Sequence, residues 1–213
     1  MYGTLIDTHG VLIVLEKLIG NQAAEFSRRW REKQLEYSFR RGLMQNFATC
    51  TRDALDYTCL TTKASLSEAE KQELMNTYST LPPFQDVKEG LDKMEKVGFQ
   101  MFAFSNGSTD AVDTLLSAAI IRSYFIDIVS ADEIKTFKPN PDLYSHFLRR
   151  SGSTGEQAWL VSSNPFDVIG AISSGMRAAW VQRSKDSIFD PWEIKPTMIV
   201  ENLLDLAESF ENE

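Results

Sequence analysis

Short apolar runs alternate with amphipathic stretches in the chain beyond about residue 84. The runs lack the polar alternation of a half-exposed strand, so they predict strands buried on both faces, as in a parallel sheet covered by helices. The predicted strands cover residues 99–104, 125–130, 158–161, 177–182 and 198–200. The predicted helices cover residues 87–97, 109–119, 141–152, 166–174 and 201–210. This pattern predicts a doubly wound, Rossmann-like α/β fold with a parallel sheet.

The first third of the chain shows helical periodicity and no convincing strand pattern. Amphipathic helices are predicted over residues 23–44 and 48–60. Ser67 and Glu70 have the spacing of a capping box, which predicts the start of a further helix that runs towards Tyr78. The first third is therefore predicted to be all helical.

Two adjacent prolines, Pro82 and Pro83, interrupt the helical pattern where the alternation of strands and helices begins. Proline cannot continue a helix, so the pair marks a boundary. We predict an α/β core formed by residues 1–9 and 83–213, into which residues 10–82 are inserted as a helical cap.

The composition of the 213 residues is that of a globular protein, with 43% hydrophobic and 24% charged residues. The net charge of −8 argues against nucleic acids and anionic membranes as partners, because both are bound through clustered positive charge. An anionic substrate would need a local basic site. Cys50 and Cys59 fall on opposite faces of a predicted helix, which predicts unpaired thiols in a reducing cytoplasm. No apolar run is long enough to predict a membrane span.

Polar segments follow the predicted strands at the edge where doubly wound sheets bind their ligands. These segments are residues 2–4, 105–106, 138–139 and 162–164. Their convergence at one edge is a prediction from the fold alone.

Each polar residue also has a plain structural interpretation. Ser-Asn-Gly at 105–107 is ordinary turn sequence, and Lys138 alone would be a surface lysine. Tyr144 would be a core aromatic, and Asp167 an acid that favours the start of a helix. Arg31 lies in a charged stripe that is typical of a solvated helix face.

The order and spacing of the segments are more specific than any single one. The chain reads, in order, Tyr-Gly-Thr-Leu at 2–5, Arg-x-Lys-Gln-Leu-Glu-Tyr at 31–37, Ser-Asn-Gly-Ser at 105–108, Lys-Pro-x-Pro-x-x-Tyr at 138–144 and Ser-Ser-Asn-x-x-Asp at 162–167. This series resembles the L-2-haloacid dehalogenases, the type II haloacid dehalogenases of the haloacid dehalogenase (HAD) superfamily, over nearly the whole chain. The resemblance implies hydrolytic dehalogenation of short 2-haloalkanoic acids to 2-hydroxy acids through an aspartyl-ester intermediate.

The resemblance also implies which residues bind the substrate and the released halide. Ser105 and the backbone near Met1 and Tyr2 would bind the substrate carboxylate. Arg31, from the cap, and Asn106 would receive the departing halide. The expected ligands are therefore a small 2-haloacid and a halide ion.

A second group of residues is implied to serve the nucleophilic carboxylate. Lys138 would keep this carboxylate ionised and oriented, and Tyr144 would support Lys138. The residues implied to orient the nucleophile and the hydrolytic water are Thr4, Ser162, Asn164 and Asp167.

The nucleophile itself is expected immediately upstream of Met1. The superfamily's first signature is an apolar strand followed by Asp-x-x-Gly-Thr, and Met1 and Tyr2 would occupy the two x positions. Asp7 cannot take the place of this nucleophile, because it lies beyond Thr4, where the chain is already leaving the sheet. Without the strand before Met1, two inner edges of the sheet would be unpaired. We therefore expect that Met1 is an internal methionine.

The superfamily's phosphatases form one alternative. They need a second aspartate two residues after the nucleophile, where this chain has Tyr2, and they hold Mg²⁺ with clustered acids, which are sparse here. The pattern therefore predicts a site without metal or other cofactor. The other alternative is an inactive paralogue, or a truncated form, that binds small carboxylates. Similar proteins dimerise through their caps, and the aromatic-rich stretch from Trp30 to Phe39 is compatible with a homodimer.

Overall fold

The computed structural model describes residues 1–41 and 46–211. Its strands are β1 Phe102–Ser105, β2 Asp127–Ser130, β3 Trp159–Ser162, β4 Arg177–Val181 and β5 Met198–Val200. Its helices are α1 His9–Ile19, α2 Ala23–Arg41, α3 Phe47–Thr62, α4 Glu68–Tyr78, α5 Val87–Val97, α6 Thr109–Ala118, α7 Pro141–Ser151, α8 Pro165–Ser173 and α9 Leu203–Glu211. The order of elements confirms the predicted α/β fold. Residues 42–44, at the end of the first predicted helix, lie outside the described residues.

All strand pairings are parallel, as the apolar runs predicted. β1 pairs with β2, with Ser105 opposite Ser130 at the carboxyl end of the ladder. β3 pairs with β4, which also pairs with β5. Parallel strands end at the same edge, so the loops after β1, β2 and β3 can bring their side chains together.

Within the described residues, β1 and β3 each have one open edge, because β1 pairs only with β2 and β3 only with β4. Residues of both strands, including Ala103 and Leu160, line a cavity of about 470 Å³. Helices α5 and α9 contribute Leu91 and Leu206 to its wall, and Met1 also lines it.

Local sequence signals set most helix ends. Ser67 caps α4, and Glu70 completes the predicted capping box. Gly98, at φ 97°, ends α5 in the left-handed conformation that glycine adopts most readily. Asn140 caps α7, which has proline at its first position.

Two predictions of local structure need correction. Helix α1 was not predicted, because Thr8 makes no side-chain capping bond and the first turn carries no acid. The strand predicted over residues 99–104 begins only at Phe102. The backbone nitrogen of Phe99 still donates to the carbonyl of Met94 (3.1 Å), so Phe99 belongs to the end of α5.

Helices α1 to α4 pack against one another and form a helical segment between the first turn and β1. Phe26, Trp30, Leu55 and Leu74 are fully buried in it. Burial of such side chains contributes about 1.5–3 kcal/mol each. Within the part of the chain that the structure covers, no helix combines the length and apolar character needed to cross a bilayer.

The chain crosses between the helical segment and the sheet twice, at Ile6 and at Pro83, and these two residues form an antiparallel bridge. Arg183, which follows β4, holds this crossing. Its guanidinium binds Asp86 (2.7 Å) and the carbonyl of Thr4 (2.5 Å).

Candidate active site

A buried cluster of three residues lies at the carboxyl edge of the sheet. Lys138 Nζ donates to Asp167 Oδ2 (3.0 Å) and to the carbonyl of Phe104 at the end of β1 (3.2 Å). Tyr144 Oη donates to Asp167 Oδ1 (2.9 Å). Lys138 and Asp167 are each only 5% exposed, and Tyr144 is fully buried. The carboxylate of Asp167, from α8, therefore links Lys138 and Tyr144, which belong to one segment of the chain.

The surroundings of this cluster favour an ammonium donor beside a neutral phenol. Burial lowers the pKa of Lys138 below its ordinary value of 10.5, and the negative charge of Asp167 opposes that shift. Burial also raises the pKa of Tyr144, and Asp167 adds to the increase. Tyr144 is therefore a hydroxyl donor at neutral pH.

Arg31 brings a second cation from helix α2 to the same edge. Its guanidinium donates to Gln34 Oε1 (2.5 Å) and to Asn164 Oδ1 (3.3 Å), both neutral amide oxygens. Burial lowers the pKa of Arg31, while interactions with Tyr78 and Tyr2 oppose the shift. Among the described residues, no carboxylate pairs with this guanidinium. A partly buried cation with neutral partners keeps a positive charge with which a small anion could pair.

The loop after β1 fixes the position of Lys138. Asn106 Oδ1 accepts a bond from the backbone nitrogen of Lys138 (2.9 Å). Ser105 Oγ accepts from the backbone nitrogen of Gly107 (3.1 Å). Ser130, fully buried at the end of β2, donates from Oγ to the carbonyl of Gly107 (2.7 Å). The loops after β1 and β2 are thus bonded together.

The loop after β3 is bonded to the first turn of the chain. Thr4 Oγ1 accepts from the backbone nitrogen of Ser163 (3.0 Å), and their hydroxyl oxygens are 3.2 Å apart. Ser162 Oγ accepts from the backbone nitrogen of Asn164 (3.2 Å). The first turn is therefore bonded to the loop that contains Asn164, one of the two amide partners of Arg31.

The backbone of Met1 faces the centre of the polar residues. Its carbonyl accepts from the backbone nitrogens of Thr4, Leu5 and Ile6 at 3.1, 2.9 and 3.2 Å. Its nitrogen interacts electrostatically with charged groups of the site, namely Lys138, Asp167 and Arg31. Met1, Lys138 and Asp167 line the same cavity.

The structure brings most of the sequence-predicted site residues into bonded groups, with one difference. Tyr144 bonds to Asp167, so its link to Lys138 runs through that carboxylate. The Tyr2 hydroxyl donates to the carbonyl of Tyr78 (3.0 Å).

Several residues that the sequence did not single out support the site. They are Gln34, Thr51, Ser130, Gly170 and Arg183. Gln34 had a sequence signal, because it lies three positions after Arg31 and so on the same face of α2. The others are brought to the site by tertiary packing.

The acids and imidazoles of the described residues are dispersed. Across residues 1–41 and 46–211, no group of three or more His, Cys, Asp or Glu side chains is arranged to hold a metal ion. Asp167 makes its ion pair with Lys138.

Comparisons with known proteins agree on one family. A family model described as haloacid dehalogenase-like hydrolase matches residues 1–181. The chain is 33% identical to an (S)-2-haloacid dehalogenase of Pseudomonas putida, over 100% of this chain and 94% of that protein. It is 34% identical to haloacetate dehalogenase H-2 of a Moraxella species, over 86% of this chain and 83% of that protein.

A solved structure shares the fold over the same extent. It is the L-2-haloacid dehalogenase of Xanthobacter autotrophicus with chloropropionic acid covalently bound. The TM-score is 0.89 at 29% sequence identity, and the superposition covers 99% of this chain and 95% of that one.

Proposed function

Because the chain belongs to the haloacid dehalogenase-like hydrolases, we propose that it hydrolyses short 2-haloalkanoic acids to 2-hydroxy acids and releases halide. The observation that carries the proposal is a pair of cations at the sheet edge, of which Lys138 is buried and Arg31 partly buried. Among the described residues, Lys138 has one carboxylate partner, whereas the Arg31 guanidinium bonds only to neutral oxygens. A halide leaving group needs a cation and no proton, and Arg31 supplies that cation.

The reaction proceeds in two displacements. A carboxylate oxygen attacks C2 of the substrate, a carbon–oxygen bond forms, and the carbon–halogen bond breaks, with the halide leaving with the bonding electrons. Water then attacks the carbonyl carbon of the resulting ester. The 2-hydroxy acid leaves with the original carboxylate oxygen, the carboxylate is regenerated with an oxygen from water, and one proton is released.

The proposed nucleophile is an aspartate at the position directly before Met1. The nitrogen of Met1 interacts with Lys138, Asp167 and Arg31, so a side chain attached one residue earlier would lie near the Lys138 ammonium. A positive charge beside a carboxylate keeps it ionised.

The remaining site residues have proposed roles that follow from their positions. Ser105 and the backbone of Met1 and Tyr2 bind the substrate carboxylate, and Asn106 joins Arg31 at the halide. The residues proposed to orient the nucleophile and the hydrolytic water are Thr4, Ser162, Asn164 and Asp167. Tyr144 holds Asp167 in place for Lys138.

The proposal predicts halide release without metal. The experiment uses the chain preceded by an apolar strand that ends in aspartate, called here the Asp-bearing form, and a matched form that ends in asparagine. We expect the Asp-bearing form to release chloride from 2-chloropropionate in the presence of EDTA, and the asparagine form to release none. Chloride is measured with an ion-selective electrode.

Three results would contradict this assignment in different ways. A requirement for Mg²⁺ together with hydrolysis of phosphoesters would favour the phosphatase alternative. Saturable binding of 2-chloropropionate without chloride release would favour a carboxylate-binding protein that is not an enzyme. Equal activity of the asparagine form would place the nucleophile elsewhere.

The pH dependence of halide release should report Lys138. Because its pKa is lowered below 10.5, the reaction should slow on the alkaline side at a pH below 10.5. Asp167 raises the pKa of Lys138, so Asp167→Asn should move this alkaline limb to still lower pH. Lys138→Arg should remove the limb, since a guanidinium keeps its proton. A limb that neither substitution moves would show that another group titrates.

We also propose a cytoplasmic location and a homodimer. The support for the location is that Cys59 is a buried thiol outside any disulfide. Trp30 is fully buried within its own helical segment, so it is not available to a partner subunit. Phe39 and Leu60 are 47% and 79% exposed, and they are the apolar groups of α2 and α3 that a second copy could cover.

A further inference from the structure

A relay of neutral hydrogen-bonding groups supports Arg31 from the side away from Asn164. Gln34 Oε1 accepts from the Arg31 guanidinium (2.5 Å), and Gln34 Nε2 donates to Thr51 Oγ1 (2.6 Å). Thr51 Oγ1 in turn donates to the carbonyl of Phe47 (2.9 Å). Gln34 and Thr51 are 1% and 4% exposed, so water does not replace these bonds. The relay joins helices α2 and α3.

The direction of the relay is fixed at its Arg31 end. A guanidinium has donors and no acceptor, so Gln34 must turn its carbonyl oxygen to Arg31, and its NH₂ group then points to Thr51. The Thr51 hydroxyl accepts from this NH₂ group and donates its own proton to the Phe47 carbonyl. Thr51 therefore anchors the Gln34 amide that accepts from Arg31.

The relay is also neutral, which matters for an anion site. A carboxylate at position 34 would pair with Arg31 and cancel its charge within the protein. The amide of Gln34 holds the guanidinium equally well but leaves the positive charge uncompensated.

We propose that Gln34 and Thr51 are positioning residues, which hold the Arg31 guanidinium in the orientation that binds the halide while leaving its charge available. The inference rests on the proposed function for the identity of the anion. It assigns to helix α3, which supplies none of the residues proposed to touch the substrate, a part in forming the halide site.

The test measures the affinity of the chain for bromide, and it needs no turnover. The melting temperature is recorded in rising sodium bromide at constant ionic strength, and the dissociation constant follows from the increase. Gln34→Glu should weaken bromide binding about 30-fold. The introduced carboxylate would pair with the Arg31 guanidinium, which then loses its charge-assisted interaction with bromide. Thr51→Val should weaken it about 5-fold, because the NH₂ group of Gln34 then loses its buried acceptor and the amide is no longer anchored. Thr51→Ser, which keeps the hydroxyl, should restore the affinity.

A neighbouring threonine provides a matched control for loss of a hydroxyl. Thr58 is fully buried in the same helix, and its Oγ1 donates to the carbonyl of Ala54 (2.7 Å), as Thr51 does to Phe47. Thr58 lies two turns from Thr51 and outside the relay, so Thr58→Val should lower the melting temperature without bromide and leave the bromide dissociation constant unchanged.

The outcomes separate the two proposals. If bromide does not stabilise the wild-type chain, or if Arg31→Met leaves that stabilisation intact, the proposed halide site is wrong. This inference is then wrong as well. If the wild-type chain binds bromide through Arg31 but Gln34→Glu binds it equally well, the relay has no positioning role and the proposed function stands. Equal weakening by Thr51→Val and Thr58→Val would likewise overturn the inference, because it would reflect general loosening of α3.

Discussion

Replacing Lys138 with methionine is expected to slow halide release by the Asp-bearing form about 1,000-fold, the loss that follows removal of a preorganised electrostatic group. Methionine has a similar length and packs in the same space, so the change removes mainly charge. Lys138 Nζ is held by the Phe104 carbonyl and by Asp167, and it lies 3.7 Å from the centre of the Phe104 ring. The ammonium is therefore fixed before substrate arrives.

The same substitution should also destabilise the fold. Asp167 would remain buried with the Tyr144 hydroxyl as its remaining side-chain partner, and a buried charge that has lost its counter-ion costs about 3–5 kcal/mol. Urea unfolding measures this cost. The double variant Lys138→Met, Asp167→Asn should recover most of the stability and none of the activity, because asparagine carries no charge but still accepts from Tyr144.

A lysine three residues earlier serves as the control. Lys135 forms an ion pair with Asp132, but its side chain is 67% exposed. Exposed pairs contribute about 0–1 kcal/mol, so Lys135→Met should change neither activity nor stability by much. If Lys138→Met behaved like Lys135→Met, the buried ammonium would have no part in the reaction.

Replacing Gly170 with alanine should destabilise the protein by about 3 kcal/mol, although alanine is the better helix former by about 1 kcal/mol. Gly170 lies in α8, where the Tyr144 ring passes close to the backbone. An added Cβ would meet Tyr144 Cζ and Cε2 at 2.7 and 2.8 Å, with the hydroxyl oxygen closer still. The ring must then move, and its bond to Asp167 is lost with it.

A double-mutant cycle with Tyr144→Leu isolates this contact. In the leucine background the space next to Gly170 is open, so adding Gly170→Ala should cost less than about 1 kcal/mol. Stability is measured by urea unfolding of the four forms. An equal cost in both backgrounds would show that the tyrosine ring is not what excludes a side chain at position 170.

Helix ends were predictable where short sequence signals decide them. Ser67 and Glu70 form the expected capping box, and Asn140 caps the helix that begins with proline. Such signals work because the bonds are local, within three residues. Helix α1 has no such start signal, and its position depends on packing against α2 and α4.

The site was predictable only in outline. The carboxyl ends of parallel strands meet at one edge, so the convergence of Ser105, Lys138 and Asn164 followed from the fold. The hydrogen-bonding partners of each side chain did not follow from the fold. Whether Asp167 faces solvent or binds Lys138 depends on the depth of the site, and Gly170 matters only because Tyr144 lies against it.

The two chain crossings behind Thr4 also have a mechanical consequence. Backbone bonds join Asp7 to Pro82 (2.9 Å) and Phe84 to Leu5 (3.0 Å), so the crossings form one ribbon rather than two independent tethers. The helical segment that carries Arg31 is therefore fastened to the sheet by paired backbone, and Arg183 braces this connection through its bonds to Asp86 and to the Thr4 carbonyl.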